Sequence, residues 1–284
     1  MKTNRAPRVV LTAFLCSLAL SVRASAADLK QKTTDAFNRY VAVTEERMAG
    51  ELKPGNQFLY PDRAVSEPSQ EMRDAYVRLK RGEILVERQE TKLNGKEVEV
   101  PDGMVHHWVG LAFIPGANLA QTLAVVQDYD HRAELYKPEV IAAHMISHQG
   151  DDYKIFMRLY QKRFATVVFN TEYAIHWGRA GETQMYANSM STRVAEVQDA
   201  DHPDGPEVPV GHGTGYLWRL NTYWRFEEKD GGVYVQCEAL SLTRDIPFGL
   251  AWLIKPLVTK IPKQSLNRAL GRTREVVLER MKGK

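Results

Sequence analysis

The 284-residue sequence has little cysteine, with Cys16 and Cys237 alone, and it has no His-Glu-x-x-His, Cys-x-x-Cys or Gly-x-Ser-x-Gly motif. Nor does it have an apolar run long enough to span a bilayer. The stretch from Val9 to Val22 falls short of the ~20 residues needed, and Arg23 closes it. With Lys2, Arg5 and Arg8 before it and Ala24-Ser25-Ala26 behind it, the segment reads as a secretory signal peptide cleaved near Ala26. The expected location is therefore periplasmic or secreted. Ala13-Phe14-Leu15 lacks the small residue that a lipid-anchor site wants before Cys16. Cleavage would remove four of 38 basic residues and leave 34 against 35 acidic ones, a net charge of −1. No basic excess remains to attract nucleic acid. Cys237 would be the last thiol, so an intramolecular disulfide is excluded even in an oxidising compartment. Stability must come from an apolar core, which a chain of this length can bury.

Metal and nucleophile chemistry is also thin. His144 and His148 lie on a strand-like segment, "VIAAHMISHQ", about 13 Å apart by the strand rise, so no metal site is expected. "GHGTG" at 211–215 follows a loop and opens a strand, which is the wrong context for cradling phosphate. Cys237 reads as a small core residue. Asp128, Asp130, His131 and Glu134 could serve acid–base work, but a local cluster on a polar helix face is ordinarily solvated. No cofactor and no catalytic residue is assigned.

The chain from Asp28 to Leu52 has the spacing of a helix, with Phe37, Tyr40, Val41, Thr44 and Met48 on one face. A second helix is predicted over about 67–80. From Gly82 the period changes to that of strands, interrupted by two short helices after Asn118 and before Pro138. Six strand-like runs follow, joined mostly by short turns, which implies antiparallel hairpins. The last helix carries a stripe of Leu266, Ala269, Leu270, Thr273, Val276 and Val277.

The last hairpin, "LWRLNTYWRFEEKDGGVYVQCEALSL", fixes its own register. A turn at Asp230-Gly231 sets Glu228 opposite Val233, Phe226 opposite Val235, Trp224 opposite Cys237, Thr222 opposite Ala239, Leu220 opposite Ser241 and Trp218 opposite Thr243. One face then holds aromatics on the first strand and small residues on the second. The other, with Arg219, Asn221, Tyr223, Arg225, Gln236 and Glu238, reads as solvated. Small residues facing large ones mean either close approach of a covering helix or room for a guest. "TVVFNTEYAIHW" adds Val167, Phe169, Tyr173, Ile175 and Trp177 on one side. Rings with polar tips, such as Tyr173 and Trp177, favour the guest.

Taken together, "VGLAFIPGANLAQTLAVVQDYDHRAELYKPEV", the last hairpin and "PKQSLNRALGRTREVVLER" resemble the helix-grip fold of the START and Bet v 1-like (SRPBCC) superfamily. The resemblance implies an α+β fold in which a curved antiparallel sheet wraps a long C-terminal helix. The likeness covers about Gly82 to Glu279, so the chain is expected to comprise a helix-grip domain (82–284) preceded by two additions, a leader (1–26) and an N-terminal helical extension (27–81). It also implies a hydrophobic small molecule, a lipid, isoprenoid or quinone, held between sheet and helix. Tyr173, Trp177, Trp218, Trp224 and Phe226 are the expected walls and Trp252, in "IPFGLAWLIKPLV", the mouth. That apolar run could also touch a membrane surface. Some members of the superfamily are cyclases or hydrolases, which leaves an enzyme as one alternative and an interaction protein of the cell envelope as another.

Overall fold

A computed structural model describes residues 27–53, 55–64, 69–162, 166–245 and 260–283. The leader and "IPFGLAWLIKPLV", including Trp252, lie outside them. Helix α1 spans Gln31–Glu51, and a 3-10 turn at Tyr60–Ala64 leads to α2, Gln70–Lys80. Ser69 caps α2 by accepting from the Met72 amide at 3.1 Å. Strand β1 is Leu85–Arg88, and a small hairpin, β2 (Lys92–Leu93) with β3 (Lys96–Glu97), turns through Asn94-Gly95. Strand β4, Gly103–Pro115, then runs into α3, Leu119–Val126. There Asn118 and Gln121 form a reciprocal capping box. A single turn, α4, spans Arg132–Leu135.

Strands β5 (Val140–Gln149), β6 (Asp152–Lys162), β7 (Thr166–Gly181), β8 (Gln184–Glu196), β9 (Arg219–Lys229) and β10 (Gly232–Arg244) complete one antiparallel sheet. Its order is β1-β4-β10-β9-β8-β7-β6-β5. Helix α5, Lys260–Lys282, lies on one face over β4, β1 and β10 and meets α3 and α4. Its buried stripe is Leu266, Leu270, Thr273, Val276 and Val277. This is the helix-grip architecture. The register of the last hairpin from Glu228–Val233 to Leu220–Ser241 is the one its sequence pattern predicts. Asp230 and Gly231 both take positive φ, +58° and +73°, as a tight two-residue hairpin turn requires.

The face opposite α5, here the outer face, is not solvated as expected. Gln236, Glu238, Arg225, Tyr223 and Asn221 are all at or below 5% exposed. The apolar stripe of α1, with Phe37, Tyr40, Val41 and Met48, packs there against Tyr223, Leu240 and Leu242. Phe58, Leu59 and Leu79 cover Val109, Leu111, Phe113 and Tyr234. A strand's polar alternate positions face water only when nothing lies on that face, and this sheet has a helical layer on each side. Trp218 is also corrected. It belongs to the outer cluster, because it precedes the first residue of β9 and strand alternation does not yet govern it.

Charges buried beneath α1 are paired. Glu238 accepts from His107 Nε2 at 2.7 Å and Arg63 Nη2 at 2.6 Å, and also pairs with Arg47. Glu51 pairs with Arg47 at 2.7 Å, Arg225 at 2.6 Å and Arg63 at 3.0 Å. Burial alone would raise the Glu238 pKa, but the His107 hydrogen bond and the Arg63 and Arg47 charges outweigh it and hold it well below the carboxylate range. Burial keeps His107 neutral by lowering its pKa, against the pull of Glu238. With Nε2–H donating to Glu238, Nδ1 accepts from the Tyr40 hydroxyl at 2.9 Å, and that oxygen accepts from the Thr91 amide at 3.0 Å. Removing one charge from such a cluster strands the others. Glu238→Gln is therefore expected to lower stability by about 3–5 kcal/mol, with hydrogen exchange in α1 accelerating most. Urea unfolding that shifts by less than a tenth of that range would contradict this role.

Candidate functional site

One row of directly opposed residues crosses the inner face: Trp177, Ala187, Trp224, Cys237 and Gly110, on β7, β8, β9, β10 and β4. The side chains run large, small, large, small, none. At the small end α5 makes the close approach that the sequence left as one alternative. A Cβ on Gly110 would lie 2.6 Å from Leu270 Cδ1 and 3.1 Å from the Leu266 side chain. Gly110 is thus required for the helix to seat. Cys237 is sealed beneath it, and burial pushes its thiol pKa up, so it holds no thiolate.

At the large end Phe226 stacks on Trp177 with ring centroids 5.7 Å apart and on Trp224 at 6.2 Å. Trp177 Nε1 donates to the Tyr129 hydroxyl at 2.8 Å, which ties the aromatic cluster to the link between α3 and α4. Tyr153 tilts against Tyr129, and the Arg132 guanidinium lies 4.7 Å from the Tyr129 ring centroid. Tyr173 is 2% exposed, and its hydroxyl has no hydrogen-bond partner among the described residues. Burial pushes its pKa up to about 12. A buried hydroxyl left unbonded costs free energy unless a partner arrives.

The next rows hold Ile175, Ser189, Thr222 and Ala239, then Leu220 and Ser241. Leu220, Thr222 and Trp224 are only half-buried although β9 is an interior strand whose outer side chains Asn221, Tyr223 and Arg225 are buried. Their exposure is therefore on the inner face, beyond the reach of α5.

Tyr173, Trp177, Trp224 and Phe226 are brought together as the sequence predicts; Trp218 lies on the other face and Trp252 lies outside the described residues. Tyr129, Tyr153, Ala187 and Trp108 join the cluster without having been singled out. Trp108 was accessible by parity, since it shares its face of β4 with Gly110. Tyr129 and Tyr153 carry no local signal, because their place depends on how α3 and β6 meet. Asp128 pairs with His131 at 2.6 Å and with Arg280 at 2.7 Å, and Asp130 accepts from the Met145 amide at 2.7 Å. These groups tie the α3–α4 link to α5 and β5.

His106, on the inner face of β4, is buried with Nε2 3.1 Å from Thr243 Oγ1. Burial and the Arg88 charge push its pKa down to about 4, so it is neutral near pH 7. Four strand spacings, roughly 19 Å, separate it from Tyr173. These two groups cannot act on the same atom. Among the described residues no group of three or more His, Cys, Asp or Glu is placed to hold a metal ion.

No family model matches the chain, and no curated protein matches it. Solved structures similar to it include a STAR-related lipid transfer protein from Xanthomonas axonopodis, with 14% identity, 64% of this chain and 97% of that one covered, and a TM-score of 0.42. Human STARD10 is 11% identical over 76% of this chain and 82% of its own, with a TM-score of 0.45. An aromatase/cyclase, Zhui, from Streptomyces is 8% identical over 63% and 96%, with a TM-score of 0.40. At these values none of them transfers a residue or an activity to this chain.

Proposed function

We propose that this helix-grip protein binds an uncharged apolar or amphipathic small molecule, of lipid, isoprenoid or quinone type, against the inner face of β7–β9 beside α5. The observation that carries this reading is the half-exposed Trp224 on an interior strand whose other face is covered. Trp177, Phe226 and Trp224 offer a stacked wall, and the Tyr173 hydroxyl, without a hydrogen-bond partner among the described residues, would donate to a carbonyl or hydroxyl on the ligand. The inner-face residues beside it, Ile175, Ser189, Leu220 and Thr222, are uncharged. A neutral guest thus meets no unpaired charge on that strip.

A short-tailed benzoquinone, which quenches tryptophan, is the test ligand. Saturable quenching is expected, and Trp224→Ala should weaken binding about tenfold or more while circular dichroism stays unchanged. Absence of saturable quenching, or equal affinity in the variant, would count against the site.

We also propose that the protein acts outside the cytoplasm, from the leader at residues 1–26. Protein recovered from a secreting host should begin at or near Ala27 by intact mass, and a retained Met1 in the exported fraction would refute cleavage.

A further inference from the structure

A second groove, of about 730 Å³, lies on the outer face between the C-terminal half of α1 and strands β5–β9. It exists because eight strands at ~4.8 Å spacing are far wider than one helix of ~10 Å diameter. Helix α1 covers the β4–β10–β9 side through its buried contacts, reaches β8 at Met190, and leaves the outer side chains of β6–β8 only partly buried. Three aligned rows make the floor. They are Lys154–Ala174–Met190, then Asp152–His176–Asn188–Tyr223, then Gly178–Tyr186–Arg225. Met48 and Leu52 of α1 form the wall.

Of the two cations that line this groove, Arg225 is ion-paired and Lys154 is not, while the carboxylates Glu45 and Asp152 are held by hydrogen bonds. Glu45 accepts from the Tyr223 hydroxyl at 2.7 Å, Asp152 pairs with His176 at 2.8 Å, and Arg225 pairs with Glu51. Lys154 has no carboxylate partner among the described residues, and its ammonium stands at the end of a row that runs over the small Ala174 to Met190. The row spans two strand spacings, roughly 10 Å, and leads under α1 to Met48. The volume is that of a small-molecule site.

We infer that this groove binds an amphipathic carboxylate, with its alkyl chain lying over Ala174 against Met190 and Met48 and its carboxylate on Lys154. Lys154 decides the class: as the cation of this groove without a carboxylate partner among the described residues, at the end of the row over Ala174 to Met190, it selects an anionic head, whereas the inner-face strip selects a neutral guest. The site is separate from the inner one, since the sheet itself divides them, and it stands whether or not that site binds anything.

Decanoate is the probe, measured by calorimetry, with a diazirine-tailed decanoate for mapping. Ala174→Trp fills the middle of the trough and should weaken binding about tenfold. Lys154→Glu alters only an exposed side chain, which safeguards the test against misfolding, and should cost about three- to fivefold, in the range of an exposed ion pair. Photolabels are expected on peptides covering 46–52 and 184–192. No saturable binding, equal binding by wild type and both groove variants, or labels confined to the inner face would overturn the assignment.

Discussion

A carboxylate 1% exposed in the middle of β10 organises the molecule. Glu238 is held by a neutral histidine on β4, an arginine on α1 and an arginine on the 3-10 turn, so four separate segments meet at one side chain. Buried ion pairs of this kind add little net stability over well-packed apolar side chains, yet losing one member is severe. Their effect is positional. Any other placement of α1 takes Arg47 from Glu238 and Glu51 from Arg225, both buried, and so penalises the sliding that a purely apolar contact would tolerate. The Thr91–Tyr40–His107–Glu238 chain strengthens this, because it fixes the imidazole tautomer and leaves no spare proton position.

With the outer face fixed, the inner face is where the sheet is free to vary. Helix α5 seats on the β4–β10 side, where Gly110 and Cys237 let Leu266 and Leu270 come close. Large rings on β7 and β9 would hold such a helix off, so the grip is one-sided, and Trp224, Thr222 and Leu220 remain half-exposed beside it. The small residues and the aromatics thus have different consequences. The first give close packing and the second give a surface that can take a guest. The same geometry, a sheet wider than the helix on it, produces the outer groove.

Much of this was legible in the sequence. The Asp230-Gly231 turn and the alternation of the hairpin sufficed for the register, because a one-residue slip would mix the apolar and polar sets. The stripe from Leu266 to Val277 marked the gripped helix. Other features were not legible for physical reasons. Arginine and glutamate at alternate positions of β9 and β10 look the same whether water or a second helical layer covers them, and only pairing across 174 residues, as between Arg225 and Glu51, distinguishes the two. The stripe of Phe37, Tyr40, Val41 and Met48 did show that α1 needed an apolar partner, but not which face would supply it. Trp218 was placed on the wrong face because alternation was extended past the start of β9. The outer groove has no sequence signal, since it arises from the mismatch in width between two layers.

The central claim is that the sheet separates a charge-locked outer face from an inner face with unfilled aromatic surface. Protein labelled with 5-fluorotryptophan tests it directly, with resonances assigned by single Trp→Phe changes and followed by ¹⁹F NMR during titration with the neutral quinone. Trp224 and Trp177 should shift together to saturation while Trp218, beneath α1, stays still. Movement of Trp218 alone, or no movement at Trp224, would contradict the account.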